Sequence, residues 1–156
     1  MTEMPPPQTQ TDVETALEQI EADAPMVGII MGSKSDMDTM EGAAKVLRDA
    51  GIRSETRVMS AHREPDTVAE YCKNARMRGL RIIIAGAGLS AALPGVAAAH
   101  TDLPVIGVPL SSRLSAMGGM DSILSVLQMP PGVPVAGVGL DNAKNAGHLA
   151  LRILRA

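Results

Sequence analysis

The sequence predicts an α/β domain of three layers, with a central parallel sheet covered by helices on both faces. Three observations carry this expectation. Four short apolar runs, MVGIIM (26–31), LRIIIA (80–85), VIGV (105–108) and VAGV (135–138), and one alternating segment, IRSETRVM (52–59), recur along the chain. Each is followed by a loop and helix-compatible sequence, and parallel strands require such crossovers, which are right-handed. Apolar residues make up 46% of the chain but aromatic ones only 1%, so the core is built from Ala, Val, Ile, Leu and Met.

Taken in order, residues 1–24 open with MTEMPPPQTQ, a Pro- and Gln-rich stretch too polar to bury a core of its own. DVETALEQIEADA then suits a short amphipathic helix, with Val13, Leu17 and Ile20 on one face. This flexible or helical extension precedes one catalytic-sized domain, residues 25–156. After the first strand, Met37, Met40, Ala44 and Leu47 mark a helical stripe ended by Gly51. Pro65 suits a first helical position, and Val68, Tyr71, Cys72 and Ala75 form the next stripe. GAGLSAALPGVAAAH follows the third strand and PLSSRLSAMGGMDSILSVLQM the fourth. DNAKNAGHLALRIL closes the chain, with Ala146, Leu149, Ala150 and Ile153 expected to face inward.

Composition also excludes function classes. Tyr71 is the only aromatic residue and the net charge is −3, so neither stacking platforms nor a basic footprint exists for nucleic acid. Cys72 is alone, which removes an internal disulfide and any cysteine-rich zinc site and fits a reducing cytoplasm. The apolar runs are strand-sized, and no segment of the sequence reads as a membrane span or targeting signal.

In open parallel sheets ligands bind beyond the carboxyl ends of the strands, so four loops matter. GSKSD (32–36) offers backbone N–H groups, a helix start and two hydroxyls, the makings of a phosphate cradle. Equally, Ser35 caps a helix there and Asp36 improves its first turn. SAHRE (60–64) sets His62 beside Arg63. An imidazole, with a reference pKa of about 6.5, exchanges protons near neutrality, and a guanidinium grips phosphate or carboxylate. A lone histidine is more often structural, and His100 and His148, without such neighbours, are read that way. AGAGLSA (85–91) permits close ligand approach or unusual torsions. The stretch from Pro109 to Gly119, with Ser111, Ser112, Arg113 and Ser115, is polar and mobile enough to cover a bound molecule. No cluster has metal-ligand spacing and no nucleophile motif is present.

MGSKSDMDTM, SAHREPD, AGAGLSAALPG, LPVIGVP and MDSILSVLQMPPGVPVAGVGLDNAKNAG, in this order, closely resemble the class I N5-carboxyaminoimidazole ribonucleotide mutase family of purine biosynthesis. The resemblance runs from Met26 to about Leu154. It implies a flavodoxin-like three-layer sandwich, a homo-octamer, and transfer of a carboxyl group from the exocyclic nitrogen of aminoimidazole ribonucleotide to C4 through CO2. No metal, ATP or other cofactor is implied. By matching position it gives His62 the proton transfer, Arg63 the phosphate, and Ser33 and Asp36 the ribonucleotide. Ser35, Ser60, Ala61, Gly86, Gly88 and Leu93 complete the implied substrate-binding set. Class II relatives, which carboxylate the ribotide directly, usually carry Lys after the motif histidine, so Arg63 favours class I. The chain departs from the family where Leu89 replaces a glycine, Ala92 a histidine, Met37 a common Trp and Glu64 a common Thr. These changes keep two alternatives open: a carboxylase or decarboxylase of aminoimidazole ribonucleotide or a related nucleotide, and a non-catalytic nucleotide-binding module.

Overall fold

Runs of β-branched and aliphatic residues too short for helices become buried strands when helices cover both their faces. The computed structural model describes residues 10–156 and orders them as α1 (Gln10–Asp23), β1 (Val27–Met31), α2 (Met37–Asp49), β2 (Ser54–Val58), α3 (Pro65–Asn74), β3 (Ile82–Gly88), α4 (Leu93–Ala99), β4 (Val105–Leu110), α5 (Met120–Leu127), β5 (Ala136–Gly137) and α6 (Ala143–Arg155). The Pro- and Gln-rich opening of the sequence lies outside the described residues, apart from Gln10. The strands form one all-parallel sheet in the order β2-β1-β3-β4-β5. This is the flavodoxin-like order, and it places a topological switch point between β1 and β3.

Alternation along the strands divides the core in two. Ile30, Ile83, Ala85 and Val105 pack with Val68, Tyr71 and Cys72 of α3 and with Leu93 and Ala97 of α4. Ile29, Met31, Ile84, Ile106 and Val108 pack with Met40 and Leu47 of α2 and with Ala146 and Ala150 of α6. The two clusters lie on opposite faces of the sheet, which gives the three layers.

Several local expectations need correction. β3 runs through Gly88, so AGAG is strand rather than loop; Gly86 pairs with Met31 and Val108. β5 shrinks to two exposed residues at the sheet edge, where Pro130, Pro131 and Pro134 leave little chain able to donate to a ladder. In α6 Leu151 is buried, whereas Ile153, in the last turn of the helix, is 37% exposed. Met37, expected to face inward, is 36% exposed in the first turn of α2. Val13 and Leu17 of α1 are exposed too.

Candidate active site

The loops after β1, β2, β3 and β4 enclose a cleft of about 900 Å³ at the carboxyl end of the sheet. After β1 the chain tightens into a 3-10 turn over Lys34–Asp36 before α2. Ser33 caps that turn from an extended conformation, its Oγ accepting from the Ser35 N–H at 3.3 Å and lying 2.9 Å from Ser35 Oγ. Of the two serines able to cap, Ser33 does so, and Asp36 makes no side-chain cap bond to α2. Gly32, Ser33, Ser35 and Asp36 line the cleft. Burial pushes the Asp36 carboxyl above its ordinary pKa; a hydrogen bond from the Ser33 backbone opposes this, and the charge of Asp141 adds to it.

After β2, Ser60 to Glu64 close one tight turn: the Glu64 N–H donates to the Ser60 carbonyl at 2.8 Å, and the Arg63 N–H to Ser60 Oγ at 3.3 Å. Ser60 is buried, and the turn projects exposed His62 and Arg63 side chains into the cleft beside Ala61. Pro65, at the start of α3, leads the chain away, its missing N–H costing nothing there. The Arg63 guanidinium reaches back across the opening and donates to the Gly32 carbonyl at 2.8 Å, tying the first loop to the second.

From the end of β3, the third loop and the start of α4 come Gly88, Leu89, Ser90, Ala92 and Leu93. Gly86 lies deeper: it is buried in β3, and a Cβ there would collide with the Met40 side chain. Gly88 passes so close to β4 that a Cβ would stand 3.1 Å from the Leu110 carbonyl oxygen. Neither glycine takes a left-handed torsion; that falls to Leu89, at φ 55°. From the fourth loop, Ser111, Ser112, Arg113 and Leu114 form the remaining rim. This stretch is tethered, since Ser115 Oγ donates to Asp121 and accepts from the N–H groups of Met117 and Gly119.

The structure therefore gathers Ser33, Ser35, Asp36, Ser60, Ala61, His62, Arg63, Gly88 and Leu93 around one cleft and leaves Gly86 behind it. His100 is held by the Val96 carbonyl at 2.8 Å, and His148 lies exposed on α6; neither lines the cleft. Sequence reasoning missed the fifth loop. Leu140, Asp141, Asn142 and Lys144 line an adjoining cavity of about 630 Å³ that shares Ser35, Asp36 and Ser111 with the main cleft. The signal available was positional: GLDN follows the fifth strand and opens the last helix. No group of three His, Cys, Asp or Glu side chains among the described residues is placed to hold a metal ion.

Comparison with known proteins agrees with the fold and gives the chain its relatives. The chain is 58% identical over 130 residues to N5-carboxyaminoimidazole ribonucleotide mutase of Pyrococcus abyssi, covering 83% of this chain and 74% of that protein. It is 55% identical over 134 residues to the mutase of the same description from Bacillus subtilis, covering 85% and 82%. The crystal structure of Treponema denticola PurE superposes with a TM-score of 0.74 at 36% identity, covering 84% of this chain and 80% of that one. The profile of the AIR carboxylase family matches residues 26–156, and the chain belongs to that family.

Proposed function

We propose that the chain converts N5-carboxyaminoimidazole ribonucleotide to its C4-carboxylated isomer in purine biosynthesis. The observation that carries this reading is the convergence of His62, Arg63 and the Ser33–Asp36 turn on one cleft. Arg63 and the N–H groups of that turn hold the phosphate, and the Asp36 carboxyl faces the ribose hydroxyls. In the reaction the bond from the exocyclic nitrogen to the carboxyl carbon breaks, CO2 departs, and the nitrogen gains a proton. C4 then attacks CO2 and loses its own proton, so one titratable group serves both transfers and the proton count returns to zero. His62 is that group. A closed cleft retains CO2 beside the ring and supplies the proximity that dilute CO2 lacks.

The catalytic unit is residues 25–156, with residues 1–24 appended to it. The assembly is a homo-octamer, supported by the apolar side chains that α5 and the segment before it turn outward. A cytoplasmic setting is supported by the lone Cys72, a free thiol in the core with no second cysteine to pair with. No helix among the described residues is long and apolar enough to cross a membrane.

The test is to mix purified protein with the N-carboxylated ribotide and follow formation of the C4 isomer without ATP. Isomerisation supports the reading. Turnover of a different ribotide, or binding without turnover, overturns it in favour of a carboxylase or decarboxylase, or of a binding module.

A further inference from the structure

The fourth strand ends with an open edge. Val138 N–H donates to the Gly107 carbonyl at 3.1 Å, and Asp141 N–H to the Pro109 carbonyl at 2.8 Å, so the chain beyond β5 still bonds to alternate residues along β4. The next group facing that side is the Ser111 N–H, and no strand remains to accept it. Asp141 Oδ1 does so instead, at 2.8 Å. To present its backbone N–H and its carboxylate to the same strand, Asp141 takes φ 56°, a left-handed torsion that Asp tolerates better than most residues. The far end of the same segment rests on the neighbouring residue: a Cβ at Gly119 would lie 2.7 Å from Leu140 Cδ2, so Leu140 packs directly on that glycine. Ser111 and Gly119 are thus both held by the joint between β5 and α6, and between them lie Ser112, Arg113 and Leu114 of the cleft rim.

We propose that Asp141 is a positioning residue of the active site, completing the edge of β4 so that the Ser111–Leu114 rim closes over bound ribotide with Arg113 aimed inward. This rests on the functional reading above. Asp141 lines the adjoining cavity rather than the main cleft and acts through the rim, while its charge also bears on Asp36.

Two variants separate the side-chain bond from the torsion. Asp141→Gly accepts the left-handed conformation and removes the acceptor, whereas Asp141→Asn keeps an Oδ1 acceptor and tolerates the torsion. Amide hydrogen exchange on the unliganded protein reads the tie without substrate. Exchange across residues 110–116 should rise about tenfold in Asp141→Gly, the scale of one lost hydrogen bond to a charged group, and much less in Asp141→Asn. With the N-carboxylated ribotide, KM in Asp141→Gly should rise about tenfold while kcat stays within about threefold, and Asn should restore most of the loss. Unchanged exchange in Asp141→Gly overturns the proposal, whatever the substrate. Raised exchange with wild-type KM also overturns it, because the rim would then not matter to binding. A wild-type chain that fails to isomerise the ribotide overturns the functional reading instead, and the exchange still decides the tie.

Discussion

Leu89 holds φ at 55° on the rim of the cleft, where a Cβ crowds the following carbonyl. A bulky side chain in the left-handed region costs about 1–2 kcal/mol, while glycine loses about 0.5–1 kcal/mol more backbone freedom on folding. Relief outweighs the entropy, so Leu89→Gly should raise the melting temperature by up to about 3 °C in a chain of this size. A lower melting temperature would mean that the contacts of the Leu89 side chain outweigh the strain. His62 and Arg63 make different predictions because they meet different parts of the ribotide. His62→Asn keeps shape and removes the imidazole that would carry the proton, so binding should persist while turnover falls by about a hundredfold or more. Arg63→Ala should weaken binding first, and since it also deletes the bond to the Gly32 carbonyl, a thermal melt belongs beside the binding measurement. Near-normal turnover in His62→Asn would move the proton to another group. His62 and Arg63 were legible in the sequence because they lie in a loop after a strand, where open sheets bind ligands. Asp141 was not, because its role depends on where β5 stops, and Leu89 was not, because nothing about a leucine announces a positive φ.

At the scale of elements, edge strand β2 is fixed to α3 by a polar cluster rather than by apolar packing alone. Glu55 accepts from the Tyr71 hydroxyl at 2.8 Å and from Arg78 at 2.7 Å, with Arg57 at 3.4 Å, and Arg78 stands over the Tyr71 ring. Burial pushes the Glu55 carboxyl up, but the bonds from Arg78 and Tyr71 and the charges of Arg78 and Arg57 outweigh it and hold it below its ordinary value of 4.5. A carboxyl whose folded pKa is depressed adds stability that is complete above its unfolded pKa and is lost as pH falls through the folded one. Glu55→Gln should therefore cost about 1–2 kcal/mol in urea unfolding at neutral pH. The gap from wild type should narrow as pH drops below 4.5. A gap that does not change with pH would show that shape, not charge, holds the cluster. Strands β1, β3 and β4 were readable from their apolar runs because both their faces are covered. β5 was overextended because VAGV looks like them, and only its edge position and flanking prolines, which act through tertiary context, cut it short.

For the molecule as a whole, parallel order and two-sided burial followed from the recurrence of strand and helix, but the surface left outside one chain did not. α5 inverts the usual pattern: Ser122 and Val126 are buried, whereas Met120, Leu124 and Leu127 are 46%, 42% and 54% exposed. Spacings of four and three put those three on one stripe of the helix, and Leu114 and Met117, 82% and 59% exposed, precede it. Scattered exposed leucines need no account, but a continuous stripe beside a two-residue edge strand leaves apolar surface and backbone groups that a second copy of the chain would cover. A charge introduced into such a stripe opposes burial far more than it disturbs the isolated chain, where position 124 already faces water. Leu124→Glu should accordingly leave the melting of the single chain nearly unchanged while light scattering shows species smaller than those the wild-type chain forms. Gln128→Glu, an equal charge on exposed residue 128 just beyond the helix, should leave the assembly whole. An octamer that survives Leu124→Glu would place the subunit contacts elsewhere, and a wild-type monomer in the same measurement would remove the assembly altogether.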